Sequence, residues 1–312
     1  MTLPTFDTQA ALGFLTSQTA AIEADVWAKV YPEIQYSTLV PVDTSANPWA
    51  TSVSYYSMEQ VGSAKFMNGS AQDVPYVDVA KAQHSAPVLM AGIGYEYTIE
   101  ELGQAQILGQ NLTTERAEAA RLAYEQFVEK TAFYGDASVG FGGLLNNADV
   151  MVADAIDGVG GTADWPTKTP MEILFDMNDA MATVHQDSNT VELADTVLLP
   201  VESYNYIATL LLSPESGKSV LDAFMDANVY TARTGQKPTV RAVNGLDVAG
   251  SAGERRMIVY KRDPSVVKLH IPMPLRFEAP QQNGFAFKVP GLFRLGGLEV
   301  RRPGAMRYVD GI

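Results

Sequence analysis

Residues 115–134 read as one uninterrupted helix, and its length limits what can be built around it. Ala117, Ala120, Leu122 or Ala123, Phe127, Val128 and Ala132 recur at three- and four-residue steps, which places an apolar stripe along one face. At 1.5 Å per residue the segment spans ~30 Å, about the width of a small domain. Gly135 follows Tyr134 and ends the helix, because glycine adopts the left-handed conformation that a helix terminus requires. Asp136 and the glycines of 140–143 then lead to Leu144-Leu145-Asn146. Ahead of this helix, Thr98-x-x-Glu101 forms a capping box for a shorter one carrying Ile99, Leu102, Ile107 and Leu108, broken at Gly109-Gln110-Asn111. Arg121, Glu125 and Glu129 follow at i,i+4 spacing and are expected to face outward.

The segment before this helical pair is of a different kind. Residues 51–58 (TSVSYYSM) alternate loosely and are rich in β-formers; Gly62, Ser63, Asn68 and Gly69 supply turns; residues 74–79 and 86–93 offer a returning strand. Large apolar residues are too few here for a core. A polar two-stranded projection is marginal alone, so the pattern fits either pairing with another chain or an ordinary β-subdomain. Residues 1–48 read as an arm. Leu12, Leu15, Ile22 and Val26 share a helical face within 8–29, followed by Trp27, Tyr31, Pro32 and an extended Val40-Pro41-Val42. Packing on a neighbouring copy and folding back on its own domain are both compatible with it.

The remainder is mixed. Residues 158–168 (GVGGTADWPTK) read as a loop. Thr169-Pro170-Met171-Glu172 opens a helix with cap, proline and returning glutamate in place, and Ile173, Leu174, Met177, Met181 and Val184 on its apolar positions. Thr196-Val197-Leu198-Leu199 is continuously apolar, as in a strand buried on both sides. A helix from Pro200 and another over 219–226 complete a compact α/β region. The end is β-rich: 241–243, the turn Asn244-Gly245, 257–260, 266–269, 285–289 and 298–302, with 302–308 finishing the chain.

Composition excludes several functions. The 312 residues are 46% hydrophobic with a mean hydropathy of -0.03, enough for a substantial core and for roughly two domains or one elaborate one. There is no cysteine, so disulfides and thiolate-bound metals are out. No apolar run approaches the ~20 residues of a membrane span, and the N-terminus lacks signal-peptide character. Net charge is -14, divided as 31 acidic and 11 basic residues in 1–253 and 5 acidic and 11 basic in 254–312. That asymmetry fits head-to-tail contact between copies, or simply C-terminal arginines paired with acids elsewhere in the same chain. The acidic balance argues against tight sequence-specific DNA binding.

The catalytic motifs are missing. Gly217-Lys218-Ser219 ends like a phosphate-binding loop, but position 212, where its first glycine belongs, is Leu212. Gly140-x-Gly142-Gly143 has no dinucleotide-binding βαβ unit behind it, and there is no Gly-x-Ser-x-Gly elbow. His84, His185 and His270 are isolated, and His185-x-Asp187 has no third ligand. Glu100-Glu101 and Glu115-x-x-Glu118 sit at helix starts, where carboxylates favour the dipole. No catalytic, cofactor-binding or metal-ligating residue is expected, and no cofactor. An α/β hydrolase-like enzyme remains an alternative only without a nucleophile motif.

Taken in order, the arm, the polar strand pair, the long helix ending Tyr134-Gly135-Asp136, the Gly140-to-Asn146 loop, the helix from Thr169, the step Thr196-Val197-Leu198-Leu199-Pro200-x-x-x-Tyr204, Asn244-Gly245-Leu246-x-Val248 and the β-rich return are similar to the tailed-bacteriophage major capsid proteins of the Hong-Kong-97-like fold, which encapsulins share. The resemblance covers most of the chain. It implies an α+β fold with an N-terminal arm (1–48), an extended E-loop β-hairpin (49–92), a P-domain (93–165 and 272–312) with a long spine helix at about 113–134, and an α/β A-domain (166–271). It further implies a major capsid protein that self-assembles as pentamers and hexamers into an icosahedral shell around double-stranded DNA, made in the host cytoplasm and located in the virion. The expected partners are other copies, portal, scaffolding and decoration proteins, and DNA touched weakly and non-specifically, with no membrane. An encapsulin-like compartment shell is the alternative within the fold. Met1 begins only a short arm, so a fused scaffolding domain is not expected and a separate scaffold or internal protease has a place. The residues expected at subunit interfaces are Lys65 and Phe66 at the E-loop tip and Glu118 and Arg121 on the spine. Some members join an E-loop lysine to a partner's asparagine; Lys65 and Lys81 are the candidates, and nothing beside them marks the acid and amide such a bond needs.

Overall fold

The computed structural model describes residues 32–66, 76–101, 112–215 and 217–312. The amphipathic pattern at 8–29, the turn at Asn68 and Gly69 and the helical positions 102–111 lie outside them. Residues Ile34–Ile312 form one compact unit.

Five strands make the central sheet, in the order β5 (Met151–Asp154), β14 (Met306–Asp310), β8 (Arg256–Tyr260), β6 (Thr196–Leu199), β7 (Thr239–Ala242). β6 lies antiparallel to β8 and parallel to β7. Its four residues are all buried, as a continuous apolar run predicts. They nevertheless alternate: Val197 and Leu199 enter one core and Leu198 the other. The sheet is therefore a wall between two cores. On one side pack α3 (Pro170–Asp187), α4 (Val201–Thr209) and α5 (Val220–Asp226), with Ile173, Met177, Met181, Ile207 and Phe224 fully or almost fully buried. A last short helix, α6 (Val229–Thr234), buries none of its own residues.

On the other side lies α2 (Leu112–Tyr134), the helix expected from the sequence. It contributes Tyr124, Val128, Ala132 and Phe133 to the core shared with Leu198, Ile258, Tyr260 and Tyr308. A long antiparallel ladder backs it: β4 (Leu89–Thr98) pairs residue for residue with β12 (Ala286–Leu295), flanked by β10 (Met273–Phe277) and β11 (Gln281–Asn283). Phe293 of β12 meets Tyr124 and Phe127 edge to face at 4.8 and 5.7 Å. A third sheet joins β1 (Val42–Asp43), β9 (Val267–His270) and β13 (Leu298–Val300).

Several expectations are corrected here. Residues 86–93 are not one returning strand: β3 (Asp78–Pro87) ends before Val88, and β4 then begins in another sheet. The strands at 257–260 and 266–269, adjacent in sequence, also separate into different sheets. Residues 306–310 do not merely finish the chain; they form β14, between β5 and β8. Glu125 and Glu129 are half-buried rather than fully exposed. Residues 35–40, including the short helix α1 (Tyr36–Leu39), cover that part of α2, where the Tyr36 hydroxyl donates to Glu125 at 2.7 Å and the Gln35 amide to Glu129 at 2.8 Å.

Candidate subunit interfaces

The first exposed feature is a ribbon. β2 (Ser52–Val61) and β3 pair over ten residues, from Ser52 opposite Pro87 to Val61 opposite Asp78, and form a sheet of their own. Ten residues extend about 33 Å. Tyr56, Met58, Val79, Tyr76 and Val77 are exposed along it, and Phe66 beyond its end is fully so. Its root is held tightly. The buried Arg294 guanidinium donates to the carbonyls of Pro48 and Val88, where the chain enters and leaves. Further out, Arg301 lies 4.5 Å over the Tyr55 ring, whose other neighbour is the stacked His84 at 4.9 Å.

The second feature is the end of the long helix. Gly135 has φ +69, and a Cβ there would fall 2.2 Å from the Phe141 carbonyl oxygen; a Cβ on Gly143 would fall 2.2 Å from that of Phe133. Only glycines allow the loop to return this closely, and the amides of Leu144 and Leu145 then donate to Ala132 and Phe133 at 2.8 and 2.9 Å. Arg256 fastens the same loop to the sheet. It donates to both Asp310 oxygens at 2.6 and 2.7 Å and to the Leu145 carbonyl at 2.9 Å, and stacks 4.5 Å over Tyr308. Burial alone would raise the Asp310 carboxyl; the bonds from Arg256 and Ser251 outweigh it and leave it low. Burial pushes the Tyr308 phenol up to about 12.

The C-terminal cations are used within the chain. Arg255 pairs with Glu202, Lys261 and Arg302 with Glu192, Lys268 with Asp43, Lys288 with Glu96 and Arg307 with Asp187. These pairs are the intrachain use of the C-terminal cations that the charge asymmetry allows. Glu192 is held low first by its bond from Lys261, with Arg302 adding to it against burial. His270, fully buried, meets Glu299 at 2.5 Å, and its other nitrogen lies 3.7 Å from Asp43. Burial would raise Glu299 and Asp43; bonds from His270 and Arg301 to the first, and from Lys268 and Ser45 to the second, bring both below the ordinary range. The remaining histidines are structural: His84 is stacked and His185 bonds the Glu192 carbonyl at 2.9 Å. Ser219, last of the Gly-Lys-Ser triplet, caps α5.

Of the residues expected at interfaces, Lys65 and Phe66 lie exposed just past β2, and Lys81 sits on β3 opposite Met58. Glu118 and Arg121 are exposed one turn apart on α2, with no ion pair among the described residues. Arg121 rims a cleft lined by Tyr36, Tyr124, Leu275 and Phe277. Sequence reasoning missed the exposed Ile156, Val159, Met171 and Phe175, which lie outside the apolar stripe expected to face the core. Among the described residues no group of three or more acids or histidines is placed to hold a metal, and no helix is long and apolar enough to cross a membrane.

No curated protein matches the sequence. The fold matches the capsid of Myoviridae phage XM1 with a TM-score of 0.79 at 20% identity, over 95% of this chain and 98% of that one. It matches the capsid of an empty GTA particle at 0.62 and 12% identity, over 98% and 99%, and Mycobacterium phage Bobi at 0.59 and 12%, over 93% and 94%. Residues 62–312 match the major capsid protein family. With four fifths of its length inside that match, the chain belongs to the major capsid protein family: it is a shell-forming capsid subunit, and its place is the virion shell.

Proposed function

We propose that this shell is the icosahedral capsid of a tailed bacteriophage, built from pentamers and hexamers of this chain around double-stranded DNA. In this reading residues 1–48 are the arm and 49–92 the E-loop. Residues 93–165 and 272–312 are the P-domain, with α2 as its spine, and 166–271 are the A-domain that lines each capsomer centre. The observation that carries it is the β2–β3 ribbon. It has its own sheet, no core, and a series of large apolar side chains in solvent. A two-stranded ribbon of this kind is marginal unless something covers it, and a neighbouring copy is what a shell supplies. Lys65 and Phe66 are the contact residues at its tip, and Glu118 and Arg121 those on the spine.

Portal, scaffolding and decoration proteins are the further partners, and assembly takes place in the host cytoplasm. Contact with DNA is weak and sequence-independent, because the chain is acidic and its C-terminal cations are mostly engaged with its own carboxylates. No observation favours a compartment shell with protein cargo. The test is electron microscopy of the purified protein beside its size-exclusion profile. Shells, tubes or capsomer rings support the reading, and nucleic acid inside separates capsid from cargo compartment. A strictly monomeric or dimeric species at every salt and concentration refutes it.

A further inference from the structure

Helix α3 carries two apolar faces. Ile173, Met177, Ala180, Met181 and Val184 fill the core, while Met171 and Phe175, one turn apart, are 61% and 58% exposed. Beside them the loop that follows β5 presents Ile156 at 55% and Val159 at 93%. Ile156, Met171 and Phe175 line one hollow, so these side chains form a continuous platform. Phe175 also begins an open groove of about 570 Å³ running past Asp179 and Ala182 to Val229 and Ala232.

The loop cannot easily fold these residues away. The Val159 amide donates to Glu172 at 2.7 Å, the Gly158 amide to the Thr162 carbonyl at 2.9 Å, and the buried Lys168 holds Asp176 at 2.5 Å with Trp165 enclosed beside it. An apolar surface fixed in this way is preorganised for contact.

Charge indicates what meets it. Asp157, Asp164 and Asp179, on the loop and the groove, are exposed and have no cation partner among the described residues. Among the described residues of 166–253, the cations without a carboxylate partner are Arg233 and Arg241. Arg241 lies exposed on β7. β5 and β7 are the two edges of one sheet, four strand spacings or about 19 Å apart. One edge thus leads to an acid-rimmed apolar platform and the other carries a free cation. Two different, complementary faces on opposite sides of a unit are what a head-to-tail ring requires.

We propose that Ile156, Val159, Met171 and Phe175 form a lateral docking face whose occupant is the β7 edge of a second copy of this chain. This deepens the capsomer reading above and rests on it. The test uses the full chain, with Phe175→Asp and Met171→Asp compared with wild type by native mass measurement and electron microscopy. Both variants are expected to melt within about 2 °C of the unassembled wild type, because the positions are exposed. Both should need at least tenfold more subunit to form rings. Asp179→Arg and Arg241→Asp should each weaken ring formation, and the double variant should recover it. Rings from Phe175→Asp and Met171→Asp at the wild-type concentration overturn the proposal while leaving the shell reading intact, as does a charge-exchanged double variant no better than either single one. A wild type that forms no rings at all overturns the shell reading and this proposal with it.

Discussion

Gly135 and Gly143 occupy each other's side-chain space: a Cβ on the first would lie 2.8 Å from the Gly143 nitrogen, and a Cβ on the second 2.6 Å from the Gly135 nitrogen. The obstacles are backbone, which cannot rotate aside. Gly143→Ala is therefore expected to cost at least about 3 kcal/mol, the upper end of overpacking penalties, by pushing Leu144 and Leu145 out of the core. Chemical denaturation of the unassembled subunit measures it; a loss below about 1 kcal/mol would mean the loop retreats at little cost.

The Arg256–Asp310 pair should show the asymmetry of buried ion pairs. Arg256→Met leaves a buried, unpaired carboxylate and should destabilise by about 3–5 kcal/mol, whereas Arg256→Met with Asp310→Asn should lose much less. The double-mutant cycle is read from unfolding midpoints.

Acid should weaken the fold through the carboxylates held low. Asp43, Glu192, Glu299 and Asp310 titrate below their unfolded values. At pH values around 4 and below, the unfolded chain therefore binds more protons than the native one, and stability falls as pH falls. Their contribution is full above the unfolded carboxylate range and is lost as pH drops through their native values. Asp176 and Glu129, raised by burial, oppose this weakly. Denaturation midpoints between pH 7 and 3 should be flat to about pH 5 and then decline; a rise on acidification would contradict the assignment.

Tyr36→Phe removes the donor to Glu125 and should cost about 1 kcal/mol. Because that bond ties residues 35–40 to α2, the readout is faster amide exchange at 35–40, with the sheet unaffected.

Phe66→Ala should separate folding from assembly. The side chain touches little in the subunit, so the monomer should melt unchanged, while the concentration needed for shells should rise about tenfold if Phe66 is an interface hot spot. Equal assembly by light scattering would remove Phe66 from the interface.

What could be read from sequence is what is local. Thr169-Pro170-Met171-Glu172 states its cap within four residues, and the structure closes both bonds of the box. The same holds for Thr98 and Glu101, and there Arg116 holds the Glu101 carboxyl at about 2 together with the Thr98 amide. The run at 196–199 announced burial by being apolar throughout. β14 gave no such signal: Met306-Arg307-Tyr308-Val309-Asp310 mixes charge and bulk, and its burial depends on Arg256, 54 residues away, neutralising Asp310. The short α6 has no buried residue and hence no period to detect. Glu125 and Glu129 looked solvent-facing because the chain that covers them lies about 90 residues earlier. Among the proposed contact residues, Lys65 and Phe66 stood out as the end of a coreless ribbon. Met171 and Phe175 did not, since an exposed apolar residue on an amphipathic helix looks like noise until the loop beside it is seen.

The position of β14 sets a clock on biosynthesis. Among the described residues β5 pairs only with β14, and about 150 residues of chain separate them. At cellular rates of about 5–20 residues per second, the ribosome needs roughly 8–30 s to deliver the second after the first. Until then the edge that leads to Ile156 and Val159 has no wall to stand against. A half-made subunit on a polysome thus lacks the strand that backs the docking face proposed above, and that face is complete only once the last residues have been made.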